Sequence, residues 1–411
     1  MKIHITTSKI AQIVRYIAVY VLLLTSSGFH IYAQGYHIPI MMIAAILLLL
    51  MSRKQLDIKV LVTLTVLIVV VIISGIVNEE TARNMILPGV DILCGGVIAF
   101  SALSSKENGE FIVLYKNTVL AISVFSMIAF AIGAVANSLF SIFPVYAMSH
   151  HEAYFVGLTF IYKSRPYLQY RNMGIFWEPG AFQTYLIVAM ILQDRIAEKH
   201  KIRNLIIYTL AMITTVSTTG LVCLLLFWIL FILKNKNKKA SILVTLCLLL
   251  CCVTVIQFSE ILPKQLQFSI VEKLRDLLNG DQELQTVQTR VDSVIYPLRA
   301  FAQYPLFGVS KTGMSAWKNI VGHGINTCTP VNWFAHYGIV MGVTLLAGFG
   351  KFFGKISEKK WVSIGFLLIF LLSISTEAFN YNPTLLCFAF MGISGAKNLL
   401  PGGNHNESIS G

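Results

Sequence analysis

Apolar runs close to the ~18–20 residues that cross a bilayer as a helix recur along this chain from one end to the other. They begin near Ile10, Ile38, Val60, Ile86, Val119, Pro179, Leu205, Gly220, Ser241, Asn332, Trp361 and Pro383. A soluble core does not need such a series. Hydrophobic residues make up 56% of the 411 residues and charged residues only 12%; soluble domains are nearer a quarter charged. The expectation is an all-α polytopic membrane protein, a single integral membrane domain over residues 1–411 with about 12 transmembrane helices. Ile10–Ala33 is too long for a signal-peptide core and ends in no small-residue cleavage site, so it reads as a retained span.

The breaks between spans fall into two alternating classes. Ser52–Lys59, Ser104–Lys116, Asp194–Arg203, Lys234–Lys239 and Lys351–Lys360 are short and basic. Gln34–Tyr36, Asn78–Asn84, Met148–Trp177 and Ser259–Val331 are poorer in Lys and Arg. The basic class, with both termini, holds 21 of the 32 Lys and Arg. Positive charge in short loops marks the cytoplasmic side, so both termini are expected inside the cell. The net charge of +13 is then an orientation signal, and nucleic acid is not an expected partner. The tail 401–411 reads as a disordered cytoplasmic end.

Of the seven cysteines, only Cys328 falls in a predicted external loop. No disulfide framework and no CxxC pair follows.

Two predicted external segments are long enough to carry function, residues 148–177 and 259–331. The second contains two amphipathic helical patterns, Lys264–Leu278 and Leu284–Gln303. In the latter, Val287, Val291, Val294, Leu298 and Phe301 form one stripe. Pro297 is expected to kink or split that helix. Its apolar side is expected to lie on the outer membrane surface or on the bundle.

Three constellations lie in these segments. Arg171-Asn172-Met173-Gly174-Ile175-Phe176-Trp177-Glu178-Pro179-Gly180-Ala181-Phe182 leads into the sixth span. Pro179 suits a first helical turn, and Glu178 stands where a carboxylate complements the helix dipole. Thr289–Val309 carries Arg290 and Arg299. Gly322-His323-Gly324-Ile325-Asn326, then Asn332, His336 and Gly338, lead into the tenth span. Arg165, Arg171, Arg290 and Arg299, with one or two histidines, form a cationic set on the expected outer side. Arginine presents a planar fork that matches phosphate oxygens, so the set points to a diphosphate or similar anion. A histidine beside it can take a proton from an attacking hydroxyl. The chain has no DxD pair, and no metal or other cofactor is expected. Asp91 and Glu377 are acids in apolar surroundings. Glu377 and Asn380 are placed near the outer end of the eleventh span, where they can line the same cavity, while Asp91 has Arg15 or backbone as alternative partners.

At these residues the chain resembles the O-antigen polymerase (Wzy) and O-antigen ligase families. Arg171–Phe182 is similar to their R-x-x-G-I-F-x-E-P-G-x-F signature. Ser217-Thr218-Thr219-Gly220 resembles a Ser/Thr-Gly break two spans later, and Thr289–Val309 a segment ending P-L-x-G-V-G, with Ser310 where glycine is usual. His323–Gly342 resembles their H-N-x…E-x-G-x-x-G segment, with Gly324 where Asn or Ser is commoner and His336 where Glu is commoner.

The resemblance implies a GT-C-like membrane fold and a metal-independent glycosyltransferase of the bacterial cytoplasmic (inner) membrane, working at its outer face on an undecaprenyl-diphosphate-linked oligosaccharide. Carried over, Arg171 and Arg290 hold the diphosphate, His323 activates the acceptor hydroxyl, and Glu178 orients Arg171 or contacts sugar. Arg165, Arg299, Asn326, His336 and Glu377 complete the expected substrate-binding set. A repeat-unit polymerase is the leading expectation, with a chain-length regulator as a possible partner. A ligase shares the motifs. A lipid-linked oligosaccharide flippase fits the span count, but would place polar residues mid-membrane and show similar halves, and this chain does neither.

Overall fold

The computed structural model describes residues 7–28, 37–51, 57–104, 109–149, 152–163, 171–234, 283–310, 312–314 and 327–401. Helices form at every predicted span within them: α1 (Thr7–Thr25), α2 (His37–Leu50), α3 (Ile58–Val77), α4 (Ala82–Leu103), α5 (Glu110–Val135), α6 (Pro179–Arg195), α7 (Lys201–Thr214), α8 (Thr218–Lys234), α10 (Thr329–Ile356), α11 (Lys360–Ile374) and α12 (Pro383–Ile393). The ninth predicted span, near Ser241, lies outside the described residues, as does the amphipathic pattern Lys264–Leu278. Among the described residues, four helices (α3, α4, α5 and α10) are long and apolar enough to cross a membrane. The apolar helices α2, α8, α11 and α12 are shorter. The protein is a helical membrane protein.

Local chemistry sets the helix starts. Asp57 caps α3 by accepting from Lys59 N at 2.9 Å and Val60 N at 3.3 Å. Asn382 caps α12 by accepting from Leu385 N at 3.2 Å. Proline occupies the first turn of α6, α10 and α12, where a missing N–H costs nothing. Helix α6 is the central pillar, with every residue from Pro179 to Asp194 buried. It packs on α5, α7, α8 and α11. Gly348 of α10 and Gly392 of α12 meet so closely that neither neighbour leaves space for a Cβ, the small-residue contact typical of membrane helices.

Polar contacts sort the helix ends into two sets that agree with the two loop classes. At the basic end, buried Lys116 donates to Glu198 at 2.7 Å and Gln193 at 3.2 Å. Asp194 pairs with Lys201 at 3.0 Å and also with Lys234. Arg15 pairs with Glu110 and donates to Met51 O at 3.0 Å, so it is not the partner of Asp91. At the other end, Trp177 N donates to Ser27 O at 3.3 Å, and Asn172 N to Thr214 O at 2.9 Å.

One expectation needs correcting: among the described residues the chain is not all-α. An antiparallel sheet, β1 (Val145–Ser149), β2 (Glu152–Val156) and β3 (Ile161–Lys163), runs in the order β1-β2-β3 and starts ahead of the expected loop boundary. The aromatic and β-branched residues Val145, Tyr154, Phe155, Val156, Ile161 and Tyr162 favour strands, and Phe140, Phe143, Phe155 and Phe160 cluster beneath them. Helix α9 (Glu283–Gln303) runs through Pro297 without splitting. Asp292, Ser293 and Ala300 are its buried side, while Val291, Val294 and Leu298 are 41%, 37% and 46% exposed. The apolar stripe therefore faces away from the other described helices, although Phe301 packs edge-on against Phe334 of α10.

Candidate anion site at the N-terminal end of the central helix

The segment before α6 is locked by its own side chains. Asn172 accepts from Gly174 N at 2.9 Å and donates to Thr214 Oγ1 at 2.9 Å and Ser126 Oγ at 3.2 Å. Gly174 has φ +57, and its Cα lies against the Phe182 ring. Only glycine takes that backbone shape without steric cost. Phe176 stacks on Phe182 and Tyr185, with centroids at 5.6 and 4.2 Å. The chain is thereby turned so that Arg171 and Glu178 both reach the end of α6.

Arg171 donates from Nε to Thr215 O at 2.9 Å. Thr215 lies in the α7–α8 break, just ahead of Ser217–Gly220, beside Val216 at φ +48. A β-branched residue rarely adopts that conformation. No described residue takes a hydrogen bond from the terminal nitrogens of Arg171. Glu178 occupies the N-cap position of α6, but its side chain makes no cap bond. It instead accepts from Trp177 Nε1 at 2.9 Å and meets Glu377 in a carboxyl–carboxyl hydrogen bond.

Glu377 comes from the turn between α11 and α12. It is 3% exposed, lies over Gly180, and leaves no space there for a Cβ. Its Oε2 is buried without a hydrogen-bond partner among the described residues. Arg290 reaches in from α9 and donates from Nη1 to Thr376 O at 2.6 Å and Thr327 Oγ1 at 3.2 Å. The four side chains act on one another electrostatically. Burial, then the bond to Glu178, pushes the Glu377 carboxyl up to about 10, against the pull of Arg290 and Arg171. Burial pushes Arg171 down to about 10, against the pull of Glu178 and Glu377. Held neutral by that shift, Glu377 adds no charge against the two guanidinium groups at ordinary pH, and the cluster is a candidate anion site.

A clamp outside this cluster explains the remaining glycines. Gly308 (φ +66) and Gly338 (φ +77) sit backbone to backbone, Gly308 on Ala335 and His336 and Gly338 on Leu306. Val309 N donates to Ala335 O at 2.8 Å and Ile339 N to Pro305 O at 2.8 Å. Helix α10 breaks at Tyr337-Gly338 to allow this. Ser310 holds φ +62 and bonds to Glu80, so the position where glycine is usual does carry a glycine-like backbone.

The expected site residues thus divide. Arg171, Glu178, Arg290 and Glu377 converge. Arg299 is exposed and lies over the Tyr296 ring at 5.9 Å; nine residues from Arg290, it is roughly half a revolution around the helix. His336 is buried at the α10 break, its Nδ1 at 3.2 Å from Tyr381 Oη, and does not join the arginines. Arg165, His323 and Asn326 lie outside the described residues. Thr215, Trp177, Thr327 and Thr376, which hold or border the cluster, were not foreseen. Two act through backbone carbonyls, which leave no trace in side-chain identity.

A cavity of about 510 Å³ lies beside the cluster, behind Trp177 and the 378–383 turn, and reaches Asn84 and Asp91 of α4. Comparison of the chain with family models, curated proteins and solved structures finds no match.

Proposed function

We propose that the protein is a polysaccharide repeat-unit polymerase, of O-antigen or capsule type. It transfers glycan from an undecaprenyl-diphosphate donor to an acceptor sugar hydroxyl at the outer face of the bacterial cytoplasmic membrane. The observation that carries this reading is the meeting of Arg171 and Arg290, about 120 residues apart in sequence, at one partly neutralised anion site. Their order along the chain is that of the families it resembles.

In this reading the two guanidinium forks hold the diphosphate oxygens. The acceptor oxygen attacks the anomeric carbon, and its proton passes to His323 as the base. The bond from that carbon to the diphosphate oxygen breaks, and the lipid diphosphate leaves with the electron pair. The leaving group gains negative charge as it departs. A fixed site with two guanidinium groups favours that state over the ground state.

The test uses purified protein in lipid nanodiscs, which expose both faces, given lipid-linked repeat units. Chain growth is expected, and its loss in Arg171→Ala, Arg290→Ala and His323→Ala with normal protein folding. Growth undiminished in all three variants would sink the assignment. No growth in the wild type, with transport in sealed vesicles, would favour a flippase. Sidedness is read separately. A membrane-impermeant maleimide on intact cells should label Leu158→Cys but not Glu358→Cys, both at highly exposed positions.

A further inference from the structure

We infer that the 510 Å³ cavity behind Trp177 is a neutral-saccharide site, and that it seats the acceptor glycan while the arginine cluster seats the donor diphosphate. The inference rests on the polymerase reading for the word acceptor. The sugar site itself stands on the lining.

The cavity's size falls in the range of small-ligand sites, roughly 300–1,000 Å³. Its lining includes the aromatic residues Trp177, Phe379 and Tyr381 and the polar residues Asn84, Asp91 and Asn380. Asn84 commits its amide nitrogen to Glu80 and Thr312, each at 2.8 Å, which leaves its oxygen as an acceptor. Asn380 uses its oxygen to accept from Asn332 Nδ2 at 3.0 Å, which leaves its amide nitrogen as a donor. Asp91 adds a carboxylate. Sugar rings have C–H faces that pack on aromatic faces and hydroxyl edges that both donate and accept. The lining offers both kinds of surface. Among the described residues no lysine or arginine lines the cavity, so these walls offer a phosphate no counter-charge.

One further observation ties the cavity to the reacting centre. Trp177 forms one wall and also donates from Nε1 to Glu178 Oε1 at 2.9 Å. One indole therefore separates the cavity from the carboxyl pair. Asn380, which lines the cavity, holds φ +37, a left-handed shape that asparagine tolerates better than most residues. It is kept there by Trp333 Nε1, which donates to Asn380 O at 2.7 Å.

The test measures binding to the full protein in nanodiscs of two probes. One is the lipid-free, phosphate-free repeat-unit oligosaccharide released from the cells' own lipid-linked intermediate; the other is inorganic pyrophosphate. Asp91→Asn keeps the side chain's shape and is expected to weaken the oligosaccharide roughly tenfold, the scale of one hydrogen bond to a charged group. Leu87→Trp, which fills the cavity, is expected to abolish it. Neither should change pyrophosphate binding, which also reports that the variants are folded. Arg171→Ala should do the reverse. Oligosaccharide binding that survives both cavity variants, or that is lost only with Arg171, overturns the inference. Binding lost in both cavity variants while the wild type shows no chain growth would leave a sugar site and remove the polymerase.

Discussion

Arg171 is anchored by one nitrogen: its Nε–H donates to Thr215 O at 2.9 Å, and no described residue takes the terminal nitrogens. A lysine cannot satisfy that carbonyl and offer two parallel donors at once. Arg171→Lys is therefore expected to fold normally but to lose roughly tenfold to a hundredfold in pyrophosphate affinity, the scale of one charge-assisted hydrogen bond. Retained affinity in a titration of the lysine variant would show that charge alone suffices.

Gly180 has no room for a Cβ because the Glu377 carboxyl lies against it. Gly180→Ala should displace Glu377 and lower stability by about 1–3 kcal/mol, the usual cost of overpacking. Adding Glu377→Ala removes the obstruction. The double variant is expected to unfold, by thermal scan in detergent, closer to wild type than the sum of the singles allows.

The pH dependence has a definite sign. Glu377 is raised from its ordinary 4.5 to about 10, and Arg171 is lowered to about 10. As pH rises toward 10, the site gains a negative charge and loses a positive one, so anion affinity should fall on the alkaline side. The stability that Glu377 contributes is full below about 4.5 and is lost as pH climbs through the folded value near 10. Glu377→Gln should flatten the stability trend between those limits and leave only the Arg171 component of the binding profile. A variant that follows the wild-type curves at every pH would rule out this assignment of the titrations.

Ser310 takes a glycine-like backbone at φ +62 and offsets it with a bond to Glu80. Ser310→Gly loses the bond and relieves the backbone, so a change within about 1 kcal/mol is expected. Ser310→Ala keeps the strain and loses the bond, and should cost about 1–2 kcal/mol more than the glycine. Melting temperatures of the two variants, compared in one detergent, decide the order.

The helical positions were readable because an apolar run of spanning length has few alternatives. Leu284–Gln303 was placed within one residue of the helix found at Glu283–Gln303. What that stripe touches was not readable. Periodicity shows that Val291, Val294 and Leu298 share a face, but lipid and protein reward the same face equally. The strands around Tyr154 and Ile161 were missed because runs of three to five residues carry too little alternation to stand out. Within the site, the residue types of Arg171, Glu178, Arg290 and Glu377 pointed to anion chemistry. Their meeting around Gly180 depends on three segments arriving together, which no local pattern encodes. His336 shows the converse, because a polar residue in a motif-like run settled on Tyr381 instead.

The outward apolar face of α9 has a mechanical consequence. Arg290 sits on a helix that is fastened on one side, by Thr376, Thr327 and the packing of Ala300, while no described residue backs Val291, Val294 and Leu298 on the other. Whatever lies against that face serves as its backing plate. Where it is lipid or detergent, lateral pressure, acyl-chain length and detergent softness become settings on how firmly one of the two guanidinium groups is held at the carboxyl pair.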